Sequence, residues 1–214
     1  MSKKRELINA FMEFKERYNN IQNRVLQIRS SLEYTEIGKQ QAIEQVVDAF
    51  APTAISYHDK AVEIIDKGLE YLQEQWRQSS SGRLTDGNYQ SGLANVVKML
   101  EVGAIREEDD IKNIIDTYAD DYNALALIRT MLQKSKDEQI QEFTELIPAD
   151  NREENKKLLS QLRGNVDTYI NADNVKATSK SWNAFNQGTT SVSASMDSMA
   201  EFVENRLDDN LKLL

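Results

Sequence analysis

Between Leu7 and Leu32 the chain reads LINAFMEFKERYNNIQNRVLQIRSSL, and its large apolar residues include Leu7, Phe11, Phe14, Tyr18, Ile21, Val25, Ile28 and Leu32. Their spacing alternates between four and three residues without a break. That is the a/d heptad period, which sets them on one narrow stripe of an α-helix and leaves Glu13, Glu16, Arg17, Asn20 and Arg24 outside it. The stretch predicts a long helix, capped by Ser2, that packs lengthwise along another helix. Two partners are open. The bulky aromatics at three seam positions favour packing on the chain's own body; the regular seam also suits packing between chains.

Outward from this helix the same logic continues. The heptad breaks at Tyr34-Thr35-Glu36-Ile37-Gly38-Lys39, where Thr35 is placed to cap a second helix, so a helical hairpin is predicted. Ile43, Val46, Val47 and Phe50 mark the buried side of that helix. It is expected to stop or kink at Ala51-Pro52, because proline lacks the amide hydrogen of a helix interior, and Pro52 suits the first turn of a third helix. The third helix carries Ile55, Val62, Ile65, Leu69, Leu72 and Trp76. Residues 79–92 hold four Ser and three Gly and read as a linker or hinge.

Beyond the linker, a short helix around Leu93, Val96, Val97 and Leu100 is expected to close at a left-handed Gly103. Ile111, Ile114, Ile115, Tyr118, Tyr122, Leu125, Ile128 and Leu132 supply a core face, and Pro148-Ala149-Asp150 breaks the next helix. A helix around Arg152 to Leu162 follows. A polar stretch from Thr178 to Thr190 then has Trp182 and Phe185 as its large anchors. Val192, Met196, Met199, Val203 and Leu207 line one stripe of the last helix. The expectation is an all-α protein: residues 1–78 an elongated helical hairpin or coiled-coil-like region, 79–92 a linker, and 93–214 a small helical bundle with a C-terminal helix.

Composition narrows the chemistry. Two prolines and eight glycines in 214 residues suit helices, and the absence of cysteine removes disulfides, thiolate nucleophiles and cysteine-ligated metals. The basic start is followed by Glu6, Asn9, Glu13 and Lys15, so there is no apolar signal core, and no apolar run is long enough to span a membrane. A net charge of -9 disfavours a nucleic-acid backbone binder. The sign is uneven: Met1 to Glu33 has seven basic against four acidic residues, a net +3 that leaves -12 for the rest. Such a basic arm meets another copy's acidic body, a nucleic acid or only water.

His58 is the only histidine, which rules out two-histidine metal sites. In Ser56-Tyr57-His58-Asp59-Lys60 the adjacent Asp59 is expected to point elsewhere on the helix, so His58 is assigned no role. Glu107-Glu108-Asp109-Asp110, with Asp116, Asp120 and Asp121, offers hard oxygens for Mg²⁺ or Ca²⁺. It has no glycine at an EF-hand position and reads as a helix N-terminus followed by a solvated face. Gly82-Arg83-Leu84-Thr85-Asp86-Gly87 lacks the Lys-Ser/Thr ending of a phosphate loop and reads as a turn, and Asn183 to Gly188 shows no catalytic pattern. No catalytic residue, metal or cofactor is expected.

The heptad helix, the Tyr34 to Lys39 turn, the long second helix and Tyr118-Ala119-Asp120-Asp121-Tyr122-Asn123-Ala124-Leu125 together resemble helical proteins encoded among the head and structural genes of tailed bacteriophages. The resemblance implies a non-enzymatic assembly role: scaffolding, an internal virion component or a head accessory. Protein partners are then expected, namely further copies of the chain as a homo-oligomer or other virion proteins, in the host cytoplasm or within a virion. An acidic helical inhibitor or adaptor on a basic site of a host protein is the alternative. A carboxylate-dependent metalloenzyme built on Glu107 to Asp121 is the third reading.

Overall fold

A computed structural model describes residues 1–81, 83–170 and 192–214. The described residues are all-α, with eight α-helices and no named strand. The expected polar stretch with Trp182 and Phe185 lies outside them. The helices fall into two units, one made of Met1–Glu70 with Glu153–Leu214, the other of Tyr71–Arg152.

Helix α1 (Lys3–Ser30) begins at Ser2, whose hydroxyl accepts from the Arg5 amide. A short turn leads to α2 (Glu36–Ser81), whose start is tied by the Gly38 amide donating to Thr35 Oγ1 at 3.1 Å. The two form the predicted hairpin. Phe14 of α1 lies 6.1 Å from Phe50 and 6.0 Å from Tyr57 of α2, ring centroid to centroid. Such stacked and edge-on pairs add about 0.5–1.5 kcal/mol each beyond their buried area.

Helix α2 departs from the expected break at Pro52. It runs for 46 residues with the proline inside it. A helix-interior proline costs about 3 kcal/mol through one lost hydrogen bond and a ring clash with the preceding turn. Burial of Val47, Phe50 and Ala54 on either side opposes that loss and holds the helix together. The buried face farther on also differs from the expected one. Ile65 and Leu72 are buried as expected, but Ile55 is exposed, and Ala54, Ala61 and Ile64 join the buried face.

The first unit is completed by α7 (Arg152–Tyr169) and α8 (Val192–Arg206). Helix α8 lies antiparallel on α1. Lys4 donates to the Glu204 carbonyl at 2.7 Å, Lys15 holds Asp197 at 2.6 Å, and Ser193 donates to Asn19 at 2.5 Å. Behind these polar links, Val192, Met196, Met199, Ala200 and Val203 are buried.

After α8 the chain folds back through an isolated bridge between Leu207 and Leu213, with Leu211 buried at φ 66°. Leu211 sits over Gly68, where a Cβ would fall 2.6 Å from its Cδ1. Fully buried Asn155 of α7 locks this clasp, donating to the Leu211 carbonyl at 3.1 Å and accepting from the Leu213 amide at 2.5 Å.

The second unit takes the end of α2, then α3 (Gly87–Glu101), α4 (Glu108–Thr117), α5 (Tyr122–Gln133), α6 (Glu138–Glu142) and a 3₁₀ turn (Phe143–Leu146). Gly103 adopts the expected left-handed conformation after α3. Leu100, Ile111, Ile115, Leu125, Ile128, Leu132 and Phe143 are among its buried core residues. Asp86, Asp121 and Asp137 cap α3, α5 and α6 with side-chain oxygens.

This division differs from the expected one. Residues 79–92 are not a linker: α2 continues to Ser81 and α3 starts at Gly87. Nor does 93–214 form one bundle, because the apolar stripes of α7 and α8 are buried with the first two helices. Sequence proximity gave no hint of that return.

The clasp yields a first prediction. Asn155→Ala leaves two enclosed backbone groups unpaired and lowers unfolding free energy by about 2–4 kcal/mol, while Gly68→Ala, which drives a methyl into Leu211, lowers it by about 1–3 kcal/mol. Urea denaturation followed by circular dichroism measures both, and wild-type stability in either variant contradicts the clasp's role.

Candidate functional site

The seam does not serve one partner along its length. Leu7, Phe11, Phe14 and Tyr18 are buried in the chain's own core, as is Val25 farther along. Ile21 and Ile28 are only partly buried, and Leu32 is 99% exposed. At about 1.5 Å per residue, the 28 residues of α1 reach about 42 Å and the 15 described residues of α8 about 22 Å. The polar links to α8 run from Lys4 to Asn19.

Among the described residues, a groove of about 1550 Å³ lies between the later part of α1 and the start of α2. Leu26, Ile37, Ile43 and Val47 give it an apolar lining, and Gln27, Arg29, Glu44 and Asp48 are among its polar residues. Leu26 is 39% exposed, Ile37 is 73% exposed, and Tyr34 at the turn is also exposed. Isolated exposed apolar residues are ordinary, but a contiguous group beside a groove marks an interaction surface. The α1 wall of the groove is Asn23, Leu26, Gln27, Arg29 and Ser30, beside the heptad positions and not on them. Ile37 and the α2 wall also escaped the heptad, because only the hairpin's closure sets them opposite.

The basic character of α1 also has a destination. Lys4 and Lys15 face Glu204 and Asp197 of α8, so part of the basic arm meets this chain's own acidic body. Exposed pairs of this kind contribute about 0–1 kcal/mol each. Their effect is on direction and register.

His58 requires a correction. Asp59 does not point away: its Oδ1 lies 3.0 Å from His58 Nδ1, and Asp167 of α7 places Oδ1 2.8 Å from Nε2. Arg163 extends the row, with Nε 3.3 Å from Asp66 and Nη1 3.4 Å from Asp167. An imidazolium donates from both nitrogens and satisfies both carboxylates, whereas a neutral ring leaves one nitrogen lone pair facing an oxyanion. Partial burial pulls the His58 pKa down, but the hydrogen bonds and charges of Asp59 and Asp167 outweigh it, and the net shift is upward from 6.5. With a carboxylate on each side, this arrangement acts as an ionic latch between α2 and α7.

In the second unit the acids close helices and pair with bases. Glu108, Asp109 and Asp110 occupy the first turn of α4, and Glu108 pairs with Lys112. Buried Asp121 accepts from the Asn123 and Ala124 amides and from the Tyr89 hydroxyl at 2.9 Å. Burial is the main cause that pushes the Tyr89 phenol up, and Arg83 stacks over its ring at 5.1 Å. Among the described residues no three acids or histidines are grouped to hold a metal ion, and no helix is long and apolar enough to cross a membrane.

No family model, curated protein or solved structure matches the chain. The functional reading rests on the geometry of its own residues. For the latch the sign follows from the raised pKa. Its stabilisation is complete below the unfolded value near 6.5 and is lost as pH rises through the higher folded value. The melting temperature therefore falls from pH 6 to pH 8.5, and His58→Gln removes that slope. Calorimetry across this range checks it, and an equal slope in the variant contradicts the latch.

Proposed function

We propose that this chain is a non-enzymatic helical assembly protein that joins proteins through the tip of the α1–α2 hairpin. One observation carries the reading: among the described residues, a groove between the later part of α1 and the start of α2 has Leu26 and Ile37 in its lining, and these two, Leu32 and Tyr34 are exposed. Surfaces of this form take the apolar face of another helix. The resemblance to head and structural proteins of tailed bacteriophages agrees in kind, and within it the chain acts as a scaffold, an internal virion component or a head accessory. The pairing of Glu108 with Lys112, and the capping and hydrogen-bonding role of Asp121, weigh against the metalloenzyme reading.

The test is chemical cross-linking of the protein in its natural source, followed by mass spectrometry. Cross-links from the tip, residues 21–48, to another polypeptide are expected, in particles sedimenting faster than the 24.5 kDa chain. A free monomer, or cross-links only elsewhere, overturns the proposal.

A further inference from the structure

We infer that the clasp, residues 207–214, is a strap that docks as one piece after α2 and α7 have packed, and that it sets how fast the first unit opens rather than how fast the unit forms. The segment is tied within itself. The Asp208 carboxylate accepts from the Asn210 and Lys212 amides at 2.8 and 2.9 Å, the Asp208 amide donates to the Lys212 carbonyl at 2.7 Å, and the Leu214 amide donates to the Arg206 carbonyl at 3.0 Å. A loop bonded in this way moves as a body. Its grip on the rest of the unit includes two buried points: Gly68 of α2, against which Leu211 lies, and the side chain of Asn155 on α7.

Both points lie far back in the chain, Asn155 being 56 residues before Leu211. Contacts between residues so distant need a long loop to be closed first, and they form late in folding. The backbone gives the same order. Leu211 holds φ 66°, a left-handed conformation that a leucine avoids on its own. What offsets that cost is burial of its side chain in the space that Gly68, lacking a Cβ, leaves free. That seat is complete only when α2 and α7 are already side by side, as the contacts of His58 with Asp167 and of Asp66 with Arg163 hold them.

An interaction absent from the folding transition state acts on the unfolding rate and leaves the folding rate alone. A strap that docks last is released first, so its docking adds to the barrier against opening. Release also limits what any one change can do. Once the segment has left its seat, water pairs the backbone groups of Leu211 and Leu213, and a second change in the same seat has little left to remove.

The experiment is pulse-labelling hydrogen exchange with mass spectrometry on the full chain, following peptides of α1 during unfolding in urea and refolding on dilution. Asn155→Ala and Leu211→Ala are made singly and together. Each single variant is expected to unfold about tenfold faster or more, with refolding within about twofold of the unaltered chain. The double variant unfolds about as fast as the faster of the two. Gly68→Ala, a one-methyl change on another element, shows the same split between the two rates and keeps the test readable if Asn155→Ala fails to fold. Refolding slowed as much as unfolding is hastened overturns the inference, because the strap then belongs to the folding nucleus. Unfolding rates that multiply in the double variant also overturn it, because the two residues then act separately and not through one docked segment.

Discussion

The pairing of α1 with α8 is the constraint on which the first unit depends. It joins the beginning of the chain to its end, and its direction is set by Lys4 on Glu204, Lys15 on Asp197 and Asn19 on Ser193. Those polar links are weak individually and sit at the edge of the contact. Leu7, Phe11, Phe14 and Tyr18 of α1 and Met196 and Val203 of α8 are all buried, and burial of a side chain of that size contributes about 1.5–3 kcal/mol. Where α8 ends, the clasp begins. The return through Leu211 is possible because Gly68 leaves room for it and Asn155 satisfies its backbone.

Along α1 the described contacts with α8 run from Lys4 to Asn19. The first half of the heptad stripe is core. In its second half Val25 is buried, Ile21 and Ile28 are partly buried and Leu32 is exposed, with exposed Leu26 and Ile37 lining the groove nearby. Two physical regimes therefore share one helix: dense aromatic packing around Phe14, and an amphipathic surface flanked by arginines on one arm and carboxylates on the other.

Polar chemistry in this protein is mostly architectural. Asp86, Asp121 and Asp137 each supply a carboxylate to helix-start amides that lack an intrahelical partner. His58 and Arg163 alternate with Asp59, Asp66 and Asp167 along the α2–α7 contact. Alternating charges in a row satisfy one another. The result is an ordered polar seam beside an apolar one, with a single group, the imidazole, whose charge changes near neutral pH.

The helices themselves were legible in the sequence because their determinants are local. The period of Leu7 to Leu32, the hydroxyls of Ser2 and Thr35 and the flexible backbone of Gly103 each act within a turn or two of their position. What escaped was decided at long range. Pro52 reads as a break until the burial of Phe50 and Ala54 is known, and Asp59 reads as irrelevant to His58 until Asp167 of α7 holds the ring's other nitrogen. The 79–92 linker and the 93–214 bundle failed for the same reason: α8 buries its stripe against a helix almost two hundred residues away in sequence, and no local pattern encodes which stripe meets which. Sequence alone determined that this is an all-α chain with a long seam at its start. Only the tertiary structure decided how far that seam is covered, because coverage depends on the relative lengths and register of helices that the chain brings together from its two ends.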